Sequence, residues 1–224
     1  GDVFEAIIFD FDGLILETET PVWSSWRAIY QEHGHDVPVE DWIACLGRSS
    51  EYSDFHGKLE RLTGRSLDRG ALKQRRTEMV MARLVEQPPQ PGVVDWLDAA
   101  ARRGLMLAVA SGSSHRWVEG HLERLGVIGR FHTIVCADDT ERHKPDPAPF
   151  TLAAEKLSVP PGRCIVLEDS PNGITAAKAA GMTAVAVPTE MTAPLAFDNA
   201  DWRIDSLADV TLDELLGRAA QVPR

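Results

Sequence analysis

The chain has 224 residues, 44% of them hydrophobic and 25% charged, with a formal net charge of -11 at pH 7. That balance is ordinary for a globular protein with enough apolar residues for a sizeable core. The acidic excess argues against nucleic acid or an anionic membrane as partner, and no apolar run reaches the length of a bilayer span.

The opening residues, Gly1-Asp2-Val3-Phe4-Glu5, lack the basic and apolar regions of a secretory signal. Cys45, Cys136 and Cys164 are too few and too scattered for a disulfide framework or a zinc site, so a reducing cytoplasm is the expected setting. The first predicted strand is Ala6–Asp10, an apolar run that stops abruptly at Asp10-Phe11-Asp12-Gly13. Carboxylates there would be costly if buried and unpaired. They suit a binding site, because ligands of open α/β sheets lie outside the carboxyl ends of the strands.

From about Leu16 to Gln87 no strand pattern occurs. Helix-like stretches cover Pro21–His33, Val39–Leu46, Glu51–Leu62 and Leu72–Val85, and the proline-rich run Gln87–Gly92 follows. The pattern predicts a helical domain at 16–90 inserted into a core built from 1–15 and 91–224. Hinges are expected near Ile15–Glu17 and Gln87–Gly92, and the two proline-marked crossings favour a movable lid over a rigidly packed excursion.

Four more buried strands are predicted at Leu105–Ser111, Thr133–Ala137, Cys164–Asp169 and Ala184–Pro188, each continuously apolar as strands covered on both faces should be. Helical periodicity lies between them, at Val118, Leu122 and Leu125 and at Phe150, Ala153, Ala154 and Leu157. Ser170 and Pro171 read as the cap and first residue of a further helix that Gly181 closes. Alternating strands and helices of this length predict an α/β fold, a doubly wound parallel, Rossmann-like sheet with the helical domain inserted.

In a parallel sheet the polar strand ends gather along one edge. Asp10, Asp12, Glu168 and Asp169 would share a small volume with Lys144 and with the Ser111-Gly112-Ser113-Ser114 turn. Like charges so close call for a cation, and an all-oxygen set favours a hard divalent ion such as Mg²⁺. Carboxylates, a metal, a lysine and a hydroxyl-plus-amide pocket suit phosphoryl transfer, where positioning and charge stabilisation do most of the catalysis.

Four ordered motifs carry a family resemblance: Asp10-Phe11-Asp12-Gly13 with Glu17-Thr18-Glu19, then Ser111-Gly112, Lys144-Pro145-Asp146-Pro147 and Glu168-Asp169-Ser170-Pro171-Asn172-Gly173. Together they resemble the haloacid dehalogenase superfamily, in its subfamily with a small helical cap, closest to the phosphatases and β-phosphoglucomutases. The resemblance implies that Asp10 is a nucleophile forming an aspartyl phosphate and that Asp12 is the general acid, then base. It places phosphate oxygens on Ser111 and the Gly112 amide, and ties Lys144 to both nucleophile and phosphate. Mg²⁺ is implied on Asp10, the Asp12 carbonyl and Asp169, with Glu168 at or just behind the metal. The alternatives are that Ser111 simply caps the next helix, the less favoured reading, and that Glu168 only hydrogen-bonds a neighbour.

Asp12 favours phosphoryl chemistry, because the dehalogenases of this superfamily lack a second aspartate at that spacing. The mutases usually carry a histidine just beyond the Glu19-like position, where this chain has Thr20, Pro21 and Val22. Arg48, in a segment resembling the specificity loop, is a candidate contact for a substrate anion, as are Arg75 and Arg76, against the alternative of a solvated basic face. Glu17, where the family often has aspartate, and Asn172 complete the candidate substrate contacts. The six tryptophans read as packing, and the histidines show no metal-ligand spacing. The expectation is therefore a monomeric cytoplasmic Mg²⁺-dependent phosphatase of small phosphorylated metabolites. The alternatives are a phosphosugar mutase and, from a different class, a non-catalytic phosphometabolite-binding module.

Overall fold

The computed structural model describes residues 3–46 and 54–221. The chain forms two compact units, one of Gly1–Leu16 and Pro88–Arg224 and one of Glu17–Gln87. Among the described residues, no helix is long and apolar enough to cross a membrane.

The first unit is built on a six-stranded parallel sheet. Its strands are β1 (Ala6–Phe9), β2 (Met106–Ala110), β3 (Thr133–Val135), β4 (Cys164–Glu168), β5 (Thr183–Ala186) and β6 (Trp202–Arg203), in the order β3-β2-β1-β4-β5-β6. β1 lies at the centre, with Phe9 level with Val109 on one side and Leu167 on the other. That register brings the residues following all three strands to one edge. The two-residue β6 has no counterpart among the predicted strands.

Alternation of side chains along each strand divides the sheet into two buried faces. Small residues dominate one: Ala6, Ile8, Ala108, Ala110, Val166, Ala184 and Ala186 pack with Phe150, Ala153 and Leu157 of α7 (Ala148–Leu157) and Ile174 and Ala177 of α8 (Pro171–Ala179). The opposite-facing set, Ile7, Phe9, Leu107, Val109, Ile165, Leu167 and Val185, is equally buried. The remaining helices of this unit are α5 (Val93–Arg102), α6 (His115–Arg124) and α9 (Leu212–Ala219). Burial on both faces is why these strands read as continuous apolar runs.

The second unit is helical: α1 (Glu19–Glu32), α2 (Val39–Cys45), α3 (Phe55–Thr63) and α4 (Arg69–Leu84). Asp54 and Asp68 cap α3 and α4 by accepting the amides of Gly57 and Ala71. Trp26, Tyr30, Trp42 and Phe55 form its aromatic core, and the Tyr30 hydroxyl donates to the Phe55 carbonyl at 2.7 Å. Leu16 belongs with the sheet unit because it is fully buried there and its carbonyl accepts from Gly13. Gln90 joins it too, donating its amide to Ile15 and its side chain to the Gly13 carbonyl.

Candidate active site

The chain leaves β1 in a tight turn. Asp10 still takes part in the sheet, donating its amide to Leu167 at 3.0 Å, and Gly13 then adopts φ +84°. A side chain at Gly13 is excluded twice. The conformation is left-handed, and an added Cβ would fall 1.9 Å from Oδ2 of Asp169. This glycine therefore makes the room in which the Asp169 carboxylate sits.

Asp10, Glu168 and Asp169 are all buried, and they offer carboxylate oxygens that lie within 4.8 Å of one another. Lys144 reaches into the cluster, donating to Asp10 Oδ1 at 3.0 Å, to Glu168 Oε2 at 2.8 Å and to the Ala110 carbonyl at 2.9 Å. The ammonium also stands over the Phe150 ring, 4.8 Å from its centroid. Glu168 is fully engaged by protein donors. Its other oxygen, Oε1, accepts the amides of Asp169 and Ser170 and the Ser170 hydroxyl. Ser170 in turn caps α8.

Three carboxylates against one ammonium leave the cluster electrostatically incomplete, and the protonation equilibria show it. Burial, then the charge of Glu168, pushes the Asp10 carboxyl up to about 7, against the pull of Lys144. Burial and the neighbouring Asp10 and Glu168 charges hold Asp169 well above the usual carboxylate range. Burial would raise Glu168 too, but the Lys144 ammonium reverses this and holds it below its ordinary value. Burial would lower Lys144, and Asp10 and Glu168 more than compensate, so the lysine stays firmly protonated. Buried oxygen ligands with raised affinity for positive charge fit a hard divalent cation such as Mg²⁺.

Ser111 lies beside this cluster, buried, at the end of β2, where its amide donates to the Val135 carbonyl. It does not cap the next helix. Ser114 does, accepting the Trp117 amide, while Ser111 Oγ accepts the amide of Ser113. Asp12 is held by both oxygens: Ser113 Oγ donates to Oδ2 at 2.6 Å, and Trp117 Nε1 donates to Oδ1 at 2.8 Å. Trp117 was expected to serve packing alone. Its indole also stands edge-on to His121, but its N–H is spent on a candidate catalytic carboxylate. The sequence signal was faint, a tryptophan in the first turn of the helix after the serine-rich strand end.

Neither Cys136 nor Cys164 is suited to act as a nucleophile. Burial pushes the thiols of Cys136 and Cys164 up to about 12 and about 11, so neither supplies thiolate at neutral pH.

A sequence profile of the haloacid dehalogenase-like hydrolases matches residues 7–187, a span that contains the carboxylate cluster, the serine turn and Lys144. The chain belongs to the haloacid dehalogenase-like hydrolase family. YhcW of Bacillus subtilis (strain 168) is 41% identical over 96% of this chain and 97% of its own length. The fructose-1-phosphate phosphatase YqaB of Escherichia coli (strain K12) is 36% identical over 82% of this chain and 96% of its own. Among solved structures, CbbY from Rhodobacter sphaeroides in complex with phosphate superposes with a TM-score of 0.73 at 30% identity, covering 92% of this chain and 96% of that one. β-Phosphoglucomutase from Clostridium difficile shares the fold, with a TM-score of 0.78 at 22% identity over 97% and 98% of the two chains. As a member of this hydrolase family the chain is an enzyme, and its fold is the family's Rossmann-like sheet.

The structure thus brings together Asp10, Lys144, Glu168 and Asp169 by direct contact, and Asp12 with the serine turn. Asn172 sits half-buried in the first turn of α8, two residues beyond the Ser170 cap. Glu17 belongs to the helical unit, where its Oε1 accepts the amides of Glu19 and Thr20 and so caps α1. Arg75 pairs with Glu32, and the Arg76 guanidinium lies 3.6 Å from the centroid of the Trp26 ring. Arg48 lies outside the described residues.

Proposed function

We propose that this hydrolase is a Mg²⁺-dependent phosphatase of small phosphorylated metabolites, working as a cytoplasmic monomer through an aspartyl phosphate on Asp10. The observation that carries the reading is the Asp10–Lys144 pair, 3.0 Å long and buried at the carboxyl end of the central strand. A buried carboxylate at a strand end, faced by a cation, is a nucleophile's environment.

In this mechanism an Asp10 oxygen attacks phosphorus while the bond to the leaving alcohol breaks. Asp12 gives its proton to the departing oxygen. Asp12, now a carboxylate, takes a proton from water, and that water attacks the phosphorus of the aspartyl phosphate, releasing inorganic phosphate and restoring Asp10. Lys144 offsets charge on Asp10 and on the transferring group, and Ser111 with the Gly112 amide holds phosphate oxygens. Mg²⁺ bound by Asp10, Asp169 and the Asp12 carbonyl would supply further positive charge for the phosphate. Glu168, its oxygens already taken by Lys144 and by backbone amides, orients the lysine from behind. We further propose that the helical unit selects the substrate, with Arg48 and Glu17 as its contributions and Asn172 that of α8.

The names of relatives support a sugar or polyol phosphate as substrate: besides YqaB, hexitol phosphatase B of Escherichia coli (strain K12) is 33% identical over 95% of this chain. Purified protein with Mg²⁺ is expected to release phosphate from members of a panel of sugar, polyol and short-acid phosphates, and Asp10→Asn to abolish release while keeping the fold. Interconversion of sugar phosphate isomers dependent on a bisphosphate activator, without net release, would replace this reading with a mutase. Near-normal hydrolysis by Asp10→Asn would overturn the mechanism.

A further inference from the structure

We propose that Trp117 and Ser113 are positioning residues that aim Asp12 at the leaving-group oxygen. The inference rests on the acid–base role proposed for Asp12. It starts from an unusual completeness of contact. Ser113 Oγ holds Oδ2 at 2.6 Å and Trp117 Nε1 holds Oδ1 at 2.8 Å. Two donors on different oxygens fix both the direction of the side chain and the twist of the carboxyl plane, which one donor would leave free.

Both donors are themselves anchored. The Ser113 amide donates to Ser111 Oγ at 3.0 Å and its carbonyl accepts from Ala137 at 2.9 Å, so Ser113 is tied to the phosphate pocket and to the end of the neighbouring strand. The Trp117 amide is capped by Ser114, and its ring stands against His121, 4.3 Å away at 80°. His121 is buried and stacks in turn on Phe11, 6.1 Å away at 18°. Phe11 precedes Asp12 in the chain. Backbone, indole and imidazole therefore close a ring around the carboxylate, and an acid group so held loses little freedom when it transfers its proton.

Placement of the acid matters only where the leaving group needs the proton. Cleavage of an alkyl phosphate expels a strongly basic alkoxide unless Asp12 protonates the bridging oxygen as the P–O bond breaks. An activated aryl phosphate expels a stable phenolate without help. The test measures kcat/KM, which covers the steps up to departure of the alcohol, for a hexitol phosphate and for 2,4-dinitrophenyl phosphate, using Trp117→Phe and Ser113→Ala with Mg²⁺ present. Both variants are expected to lose about tenfold or more on the alkyl ester, within the range of general acid catalysis, and less than about threefold on the aryl ester. Trp117→Phe keeps a ring against His121, and Ser113→Ala gives an independent measure should the aromatic variant fold poorly. Equal losses on both esters, or no loss on either, would overturn the proposal. Asp12→Ala is the reference. Its failure to show the same selective loss would sink the acid–base role itself, and this inference with it.

Discussion

Glycine 173 gives the sharpest purely structural test of the buried cluster. In an open helical position, Gly→Ala stabilises by roughly 0.5–1 kcal/mol. At Gly173 the added Cβ would lie 1.8 Å from Cδ, 2.0 Å from Oε2 and 2.2 Å from Cγ of Glu168, where real contacts stay above 3.0 Å. The carboxyl group must therefore shift by roughly an ångström or more, and its 2.8 Å pair with Lys144 cannot survive such a shift. Breaking a buried ion pair costs about 3–5 kcal/mol. After the helical gain, a net loss of about 2–4 kcal/mol follows, or about 5–15 °C in Tm for a chain of this size. Urea and thermal unfolding of Gly173→Ala measure it, with Gly217→Ala as control, since nothing lies within 4 Å of a Cβ there. The decisive comparison repeats Gly173→Ala in a Glu168→Ala background. Without the carboxyl the clash is gone, so the penalty should largely vanish. An equal penalty in both backgrounds, or a loss below about 0.5 kcal/mol in the first, would refute the reasoning.

Mg²⁺ should raise Tm in proportion to the logarithm of its concentration, giving about 2.7 kcal/mol at a hundredfold excess over Kd, and Asp169→Asn should abolish most of that rise in a thermal-shift titration. A pH effect follows from His121, whose pKa burial, then Arg124, holds below the ordinary value. The unfolded chain then binds the extra proton first, so this contribution is complete above about pH 6.5 and is lost as pH falls below it. Tm measured at pH 7.5 and 5.5 should therefore drop less for His121→Phe than for the parent chain.

Much of this architecture was legible because parallel strands covered on both faces leave an unambiguous apolar signature. The predicted strands run one residue past the observed ends of β1, β2 and β4 and two past those of β3 and β5. β1, β2 and β4 stop at Phe9, Ala110 and Glu168, although the amides of Asp10 and Ser111 still donate to the neighbouring strands before the chain turns away. β6 is two residues long and leaves no pattern to read. The gathering of Asp10, Lys144, Glu168 and Asp169 followed from topology alone. The engagement of Glu168 by Lys144 and two backbone amides did not, because it depends on how the chain turns at Asp169 and Ser170 between β4 and α8. Trp117 escaped notice for a related reason: a tryptophan on an amphipathic helix looks like core, and only the path of α6 shows that its N–H meets Asp12. In the helical unit, the capping role of Glu17 is local chemistry that a substrate-binding reading passed over.

The central claim is the covalent step at Asp10. It is tested most directly by mixing the enzyme, Mg²⁺ and an activated aryl phosphate, quenching in acid within a single turnover, and mapping the modified peptide by mass spectrometry. The account predicts one phosphoryl group on the peptide containing Asp10, accumulating further in Asp12→Ala, where water is no longer activated, and absent from Asp10→Asn. Rapid phosphate release from the parent chain with no phosphoryl group on that peptide in either the parent or Asp12→Ala would contradict it.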